Sequence, residues 1–177
     1  EPIKENLIEK RIKEVKDAGG VCAVSCTPNV ANHYGPLVEK AGADILVVQG
    51  TVVSIEHKSN DKNSGFNLPD FITKMKIPVI VGNCVTYDVA LEHVKAGASA
   101  VLVGVGPGAA STSRGVLGIG VPMPTSIADC AAARDDYFSK TGRYVHVIAD
   151  GGMSTGGDIC KAIACGGDAV MIGSPFS

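Results

Sequence analysis

Short apolar runs alternate with longer amphipathic segments along the whole chain. The apolar runs are continuous, as in strands that are buried on both faces of a parallel sheet. Between them, apolar residues recur at the three- and four-residue spacing of a helix. The pattern predicts strands at 21–25, 44–50, 78–84, 101–103, 144–149 and 169–174. It predicts helices at 2–18, 29–40, 68–75 and 86–97, one within 121–140, and one that begins at 155 and is closed by the glycines at 166 and 167.

The ends of these segments carry local signals for helix boundaries. Gly19 follows the first helix at the position where a left-handed residue commonly ends one. Thr86 is a predicted N-cap, and Thr125 or Ser126 is the predicted N-cap of the helix within 121–140. The polar, unpatterned residues 55–66 form a long connection, which in a compact domain is usually functional.

Six strand–helix pairs in strict alternation specify a parallel sheet covered by helices. Two architectures fit this pattern. The length of 177 residues favours a doubly wound open sheet, since a (β/α)8 barrel needs roughly 200 residues or more. Polar or glycine residues follow nearly every strand, however, and barrels build their site from all such loops. We therefore predict an α/β fold, a fragment of a (β/α)8 TIM barrel covering about strands 3–8, in a single partial catalytic domain over 1–177.

Composition excludes several classes of function. Hydrophobic residues make up 45% of the chain and the formal charge is −2, so electrostatics indicate no nucleic-acid partner. No apolar run approaches the roughly 20 residues of a membrane helix. The first residues show no signal-peptide core, so we expect a cytoplasmic protein without membrane association.

The six cysteines and four histidines show no metal-ligand spacing. Cys22 and Cys26 resemble half of a zinc site, but they lie in an apolar strand without a second ligand pair. We therefore expect core thiols, and structural or solvated histidines. Arg134, with the two aspartates that follow it, reads as a solvated helix face.

The glycine-rich segment 101–115 follows a strand directly. Gly104, Gly106 and Gly108 leave the backbone open, so that amides can hold an anion or carbonyls a cation. The hydroxyls of Ser111 and Ser113 follow closely. A plain glycine-rich turn between strand and helix is the alternative.

Two further strands end in candidate ligand-binding residues. Gly151-Gly152 and Gly173-Ser174 suit a phosphate, or alternatively tight packing at a barrel rim. Asp150 could accept from ribose hydroxyls, as acidic residues do in other nucleotide sites, or it could cap a helix. Asn83 could bind an amide or form a turn.

Four of these motifs, in this order, resemble the IMP dehydrogenase / GMP reductase family. They are Val-Gly-Asn-Cys-Val-Thr (81–86), Gly-Val-Gly-Pro-Gly-Ala-Ala-Ser-Thr-Ser-Arg (104–114), Val-Ile-Ala-Asp-Gly-Gly (147–152) and Val-Met-Ile-Gly-Ser (170–174). The similarity runs from Gly19 onward. The residues of these motifs are most similar to those of the IMP dehydrogenase-related paralogues of actinobacteria and cyanobacteria. Those paralogues usually lack the CBS insert, so no CBS domain is expected here.

The resemblance implies a barrel enzyme, commonly tetrameric, that acts on a purine nucleoside monophosphate (IMP, XMP or GMP) with NAD or NADP. Carried over by motif, it assigns substrate binding to Ala109, Asp150, Gly151, Gly152, Gly173 and Ser174. It assigns cofactor binding to Gln49, Asn83, Gly104 and Gly106. Carbonyls of Gly106, Gly108 and Ser111 stand where dehydrogenases bind a monovalent cation such as K⁺, and Ser111 and Ser113 fall in the catalytic loop.

Two departures from the family pattern affect the chemistry. Ser111 stands where the family has its nucleophilic cysteine, and a hydroxyl without an adjacent base is a weak nucleophile. Gln49 stands where dehydrogenases typically carry an aspartate beside the nicotinamide. We expect a purine nucleotide oxidoreductase resembling IMP dehydrogenase, weak or inactive in forming the covalent adduct at C2. The alternatives are a GMP reductase and a non-catalytic purine-nucleotide-binding protein.

Overall fold

The computed structural model describes residues 3–50, 53–57 and 65–177. The strands are β1 (Ala23–Cys26), β2 (Ile45–Gln49), β3 (Glu56–His57), β4 (Phe66–Asn67), β5 (Val79–Cys84), β6 (Ala100–Val103), β7 (His146–Asp150) and β8 (Ala169–Met171). The α-helices are α1 (Glu5–Asp17), α2 (Pro28–Lys40), α3 (Leu68–Lys74), α4 (Tyr87–Lys95), α5 (Met123–Thr141) and α6 (Gly156–Ala164). A π-helix (Ser113–Leu117) and a 3₁₀-helix (Ser174–Phe176) complete the elements.

The main sheet contains six parallel strands in the order β1-β2-β5-β6-β7-β8, and each strand pairs with its neighbours along the chain. Val47 is opposite Ile80, for example, and Val101 is opposite Val147. A doubly wound sheet reverses its strand order at a switch point, and this one does not. The fold is a partial TIM barrel, as predicted, with β1 and β8 at its two edges.

The alternation of side chains along each strand gives the sheet two different faces. One face packs beneath the helices, in two buried clusters that contain Leu46 and Val48 of β2 and Val147 and Ala149 of β7. The intervening residues lie on the opposite face, which would be the interior of a closed barrel. At the carboxyl ends of the strands, this inner face carries Gln49 and Asp150.

Helix α5 begins earlier than predicted. It starts at Met123, and neither Thr125 nor Ser126 is its N-cap. Pro124 occupies the first turn, where no backbone N–H is needed, so the helix can form before Thr125. The Ser126 hydroxyl is buried and donates to the carbonyl of Pro122 at 3.3 Å. The predicted caps at Gly19 and Thr86 are confirmed.

The predicted polar connection at 55–66 ends in two short elements. Strands β3 and β4 pair antiparallel, and most of the residues between them lie outside the described part of the chain. Phe66 is buried and packs on Phe71 of α3, with ring centroids 5.3 Å apart. The Asn67 side chain caps α3 by accepting from the Asp70 amide at 3.0 Å.

Arg134 is buried, so its assignment to a solvated helix face is wrong. Its side chain is 9% exposed and donates to Asp168 at 2.8 Å, to the Gly166 carbonyl at 2.9 Å and to Asp135 at 2.8 Å. Its guanidinium also lies 5.1 Å from the centre of the Tyr144 ring. The sequence places this arginine beside two acids and gives no sign that α5 turns it inward, toward the amino end of β8.

All six cysteines are free thiols, as expected. Cys84 and Cys130 are buried with their sulfur atoms 3.8 Å apart, whereas Cys160 is exposed, against the expectation of a core thiol. Burial raises the pKa of the Cys26 thiol to about 11. None of the described helices combines the length and the apolarity that crossing a membrane requires.

Candidate active site

Four side chains form a continuous chain of hydrogen bonds across the carboxyl ends of the strands. The Gln49 amide donates to Asn83 Oδ1 at 3.0 Å and to Asp150 Oδ2 at 2.9 Å. The Asn83 amide also donates to Asp150 Oδ2, at 2.9 Å, and to the Gly104 carbonyl at 2.8 Å. The Ser25 hydroxyl donates to Gln49 Oε1 at 3.4 Å. Strands β1, β2, β5 and β7 are thereby joined at this edge.

The parallel sheet brings these residues together from distant parts of the sequence. Gln49 and Asp150 each end a strand on its inner face, although 101 positions separate them in the chain. Asp150 does not cap α6, because Thr155 and Asp158 form the capping box of that helix. Within the described residues, Asp150 Oδ1 has no hydrogen-bond partner, so it can accept from a ligand.

The glycine loop approaches the end of β7 closely, and the contact requires a glycine on each side, Gly104 in the loop and Gly151 after β7. Gly104 has a φ of +137°, and a Cβ there would lie 2.5 Å from the Asp150 carbonyl oxygen. Gly151 has a φ of +99°, and its Cβ would lie 2.9 Å from the Gly108 nitrogen. L-residues rarely adopt such φ values. These glycines let the loop pack directly on the end of β7.

A cavity of about 260 Å³ lies on one side of this loop, and we call it the rim cavity. All six residues predicted to bind the substrate line it: Ala109, Asp150, Gly151, Gly152, Gly173 and Ser174. The glycines differ, however. Gly151 packs tightly, whereas a Cβ at Gly173 would meet nothing within 4 Å. Tight packing therefore accounts for Gly151, and the backbone at Gly173 faces open space that a phosphate can fill.

A second cavity of about 340 Å³ lies on the other side, and we call it the strand-end cavity. Its lining includes all four residues predicted to bind the cofactor: Gln49, Asn83, Gly104 and Gly106. Ser111, Asp150 and Gly108 line both cavities. The two cavities therefore meet at the glycine loop, and Asp150 and Gly151 of the predicted substrate set line both of them.

Ser111 is exposed at the junction of the cavities and has few partners. Its hydroxyl oxygen accepts from the Ser113 amide at 3.4 Å, and its own amide donates to the Gly108 carbonyl at 3.0 Å. The one titratable residue that lines both cavities is Asp150, which is already bonded to Gln49 and Asn83. No cysteine lines either cavity within the described residues. No thiol among the described residues therefore takes the place of the Ser111 hydroxyl in these cavities.

Main-chain oxygens of the loop are the candidate ligands for a monovalent cation. A carbonyl oxygen has two lone pairs, so the Gly108 carbonyl retains one beyond its bond to the Ser111 amide. The described residues contain no group of three or more histidine, cysteine or acidic side chains that could hold a metal ion. The predicted donor set of Gly106, Gly108 and Ser111 is compatible with this loop and stays a prediction.

Sequence reasoning missed two contributors to the site. Ser25 lies in an apolar strand, and nothing around it marks it as part of a polar network. Arg114 follows the loop, and its guanidinium donates to the carbonyls of Val105 at 3.3 Å and Val121 at 2.7 Å. It therefore holds together the two ends of the loop. The π-helix that begins at Ser113 was also unforeseen.

Comparison with known proteins identifies the family of this site. A family model described as the IMP dehydrogenase / GMP reductase domain matches residues 8–177. An uncharacterized oxidoreductase of Mycobacterium bovis is 44% identical over 99% of this chain and 47% of its own length. The inosine-5′-monophosphate dehydrogenase of Haemophilus influenzae is 43% identical over 78% of this chain and 26% of its own length.

A solved structure agrees with these matches. The crystal structure of an IMP dehydrogenase/GMP reductase-like protein from Corynebacterium glutamicum superposes with a TM-score of 0.88 and 45% identity. The match covers 99% of this chain and 45% of the other. The chain thus spans about half the length of the relatives that it matches most fully. With its fold, its site and these matches in agreement, the chain belongs to the IMP dehydrogenase / GMP reductase family.

Proposed function

We propose that the protein is an NAD(P)-dependent oxidoreductase of purine nucleoside monophosphates, with the overall reaction of an IMP dehydrogenase: IMP, NAD⁺ and water give XMP, NADH and a proton. The observation that carries the proposal is the meeting of two cavities at Ser111 and Asp150: the rim cavity is lined by all six predicted substrate residues and the strand-end cavity by all four predicted cofactor residues. The relatives named above support it, since one is a dehydrogenase of this substrate.

The rim cavity would hold the nucleotide. Its open backbone at Gly173 and the neighbouring hydroxyl of Ser174 offer an uncharged cradle for a phosphate, and Gly152 extends it. Asp150 Oδ1 would accept from the ribose hydroxyls. This arrangement places the base toward Ser111, at the junction of the cavities.

The strand-end cavity would hold the nicotinamide. Gly104 and Gly106 line this cavity, and their positive φ values let the loop pack against the Asp150 carbonyl and the Arg114 side chain behind it. A bound nicotinamide would accept or supply the hydride. The chain itself contributes the shared wall of Ser111 and Asp150, which would bring substrate and cofactor side by side.

The chemistry at Ser111 sets the rate. A thiol with a pKa near 8.5 is partly ionised at neutral pH, whereas a hydroxyl needs an adjacent base. Ser111 has none among the residues that line the cavities, other than an Asp150 carboxylate that is held by two amides. Attack on the purine by Ser111 would therefore be slow.

The test is turnover by the full chain with IMP and NAD, and with GMP and NADPH, followed by NAD(P)H absorbance. We expect low activity in the native protein and an increase of at least about tenfold in Ser111→Cys, because a thiolate replaces an alcohol. Ser113→Cys is the matched control, and it should not raise turnover. Native turnover that is fast and unchanged by Ser111→Cys would refute the proposed role of this position.

Two alternatives are separable by the same assays. A GMP reductase would oxidise NADPH with GMP and would be inert with IMP and NAD. A non-catalytic binding protein is favoured by the lack of a base beside Ser111, and it would bind IMP or GMP in a calorimeter without turnover. A homotetramer, which the family resemblance implies, would be seen by light scattering of the full chain.

A further inference from the structure

Two groups at the site that can only accept hydrogen bonds determine which side-chain atoms of Asn83 and Gln49 donate. The Gly104 carbonyl and the Asp150 carboxylate can only accept. The amide nitrogen of Asn83 must therefore face both of them, at 2.8 and 2.9 Å. Its Oδ1 is then left to accept, and Gln49 is the residue that donates to it.

Gln49 has both of its N–H groups in use as a result. One bond goes to Asn83 Oδ1 at 3.0 Å and one to Asp150 Oδ2 at 2.9 Å. Its Oε1 faces the Ser25 hydroxyl. Although Gln49 lines the strand-end cavity, its polar atoms are thus directed at the protein and offer a ligand no free donor.

The same bonds act on Asp150 unequally. Oδ2 accepts from Gln49 and Asn83, whereas Oδ1 has no partner within the described residues. Two N–H donors on one oxygen fix the rotation of the carboxylate group. They leave the other oxygen in the wall that the two cavities share.

We propose that Ser25 and Gln49 are positioning residues for ribose recognition. Together with Asn83 they hold the Asp150 carboxylate by one oxygen, so that the other accepts from the vicinal hydroxyls of a ribonucleotide. This inference rests on the proposed function, and it adds a specificity: the site selects nucleotides with both hydroxyls over their dideoxy counterparts. Neither residue contacts the substrate.

Glutamate is the informative substitution at Gln49. Its carboxylate has nearly the same shape, but it cannot donate to Asn83 or Asp150 and it brings a second negative charge beside Asp150. Methionine is the matched control for this charge, because it has a similar length and also lacks donors. Ser139→Ala on the exposed part of α5 is the matched control for Ser25→Ala.

The experiment is calorimetry of the full chain with GMP and with 2′,3′-dideoxy-GMP. The native protein should bind GMP at least about tenfold more tightly, as expected for hydrogen bonds to a charged group. In Gln49→Glu this ratio should fall below about threefold, while the affinity for dideoxy-GMP changes little. Gln49→Met should lower the ratio by about threefold and Ser25→Ala by about twofold; Ser139→Ala should leave it unchanged.

The ratio of GMP affinity to dideoxy-GMP affinity separates positioning from a merely structural role. Loss of a structural role would lower the affinity for both nucleotides equally. If Gln49→Glu and Gln49→Met keep the native melting temperature but lose affinity for GMP and for dideoxy-GMP by the same factor, the inference is overturned. If Gln49→Glu does not fold, Gln49→Met and Ser25→Ala decide by the same ratio. A native ratio near one would overturn the inference alone, whereas no binding of any purine nucleotide would overturn the proposed function with it.

Discussion

Two aspartates lie at opposite ends of the parallel strands and differ in how fully their oxygens are bonded. We call the side of the sheet where the strands begin the amino edge and the side where they end the carboxyl edge. Asp168, at the amino edge, accepts from the Tyr144 hydroxyl at 2.6 Å on Oδ1, and from Arg134 at 2.8 Å and the Val147 amide at 2.7 Å on Oδ2. Asp150, at the carboxyl edge, accepts only through Oδ2, within the described residues. The first carboxylate is satisfied by the fold, and the second keeps an oxygen for a ligand.

The partners also differ in charge. Burial alone would raise the pKa of Asp168, but the hydrogen bonds from Tyr144 and Val147 and the charge of Arg134 outweigh it and lower that pKa. Among the described residues, the side chains that donate to Asp150 are the neutral amides of Gln49 and Asn83. A carboxylate bonded to a buried arginine stabilises the fold, whereas one held through a single oxygen leaves the other oxygen open to a ligand. The difference separates the stability of this molecule from its function.

The largest expected effect is on stability at the amino edge. Asp168→Ala leaves Arg134 buried without its main partner, which should lower the free energy of unfolding by about 3 kcal/mol. Asp135→Ala, which removes the more exposed partner of Arg134, should cost less than about 1 kcal/mol. Denaturant unfolding of the two variants measures this difference. Equal costs would show that Asp168 is no more important to the fold than a surface acid.

A substitution at Gly104 tests whether the fold also depends on close backbone packing at the carboxyl edge. Gly104→Ala should destabilise the chain by about 2 kcal/mol, because its φ is +137° and its Cβ would overlap the Asp150 carbonyl. Gly108→Ala is the matched control, since a Cβ there meets nothing within 4 Å. Thermal melts of both variants compare them, and a native-like Gly104→Ala would contradict the close approach of the loop to β7.

Asp150→Asn should separate binding from stability. An asparagine keeps the shape of the side chain and an oxygen that can accept from Gln49, so the melting temperature should stay close to the native value. Ribonucleotide affinity should fall about tenfold with the loss of the charge. Calorimetry and a thermal melt on the same sample test both parts, and a large loss of stability would remove the contrast with Asp168.

The smallest effect is the dependence of stability on acid pH. The folded-state pKa of Asp168 is lowered, so the unfolded state binds more protons in the window below about pH 4. The stability from Asp168 is therefore present above about pH 4 and is lost as the pH falls through the folded-state pKa. The difference in unfolding free energy between the native chain and Asp168→Asn should therefore shrink as the pH falls from 5 to 2. A constant difference would contradict the role of this carboxylate.

The sequence predicts the fold well because continuous apolar runs between amphipathic helices permit few arrangements. It also predicts which residues meet at the site, since the ends of parallel strands lie at one edge. It fails where a side chain's direction depends on packing. Arg134 lies beside two acids in the sequence, and only the packing of α5 on the end of β8 shows that it is buried.

The same limit applies to the site. Asp150 and Asn83 are recognisable because polar residues that end buried strands are unusual. Ser25 is not, because one small hydroxyl in an apolar strand has many uses. The bond from Gln49 to Asp150 joins residues that are far apart in the chain, and its existence depends on side-chain rotamers that no local pattern encodes.

The tip of the catalytic loop has a consequence for the evolution of this family. Residues 109–112 are exposed, and the ends of the loop are held by Arg114 rather than by the side chain at 111. An exchange between serine and cysteine at this position therefore costs folding almost nothing. Under the proposed function, single mutations can therefore change the nucleophile while the candidate nucleotide pocket stays intact.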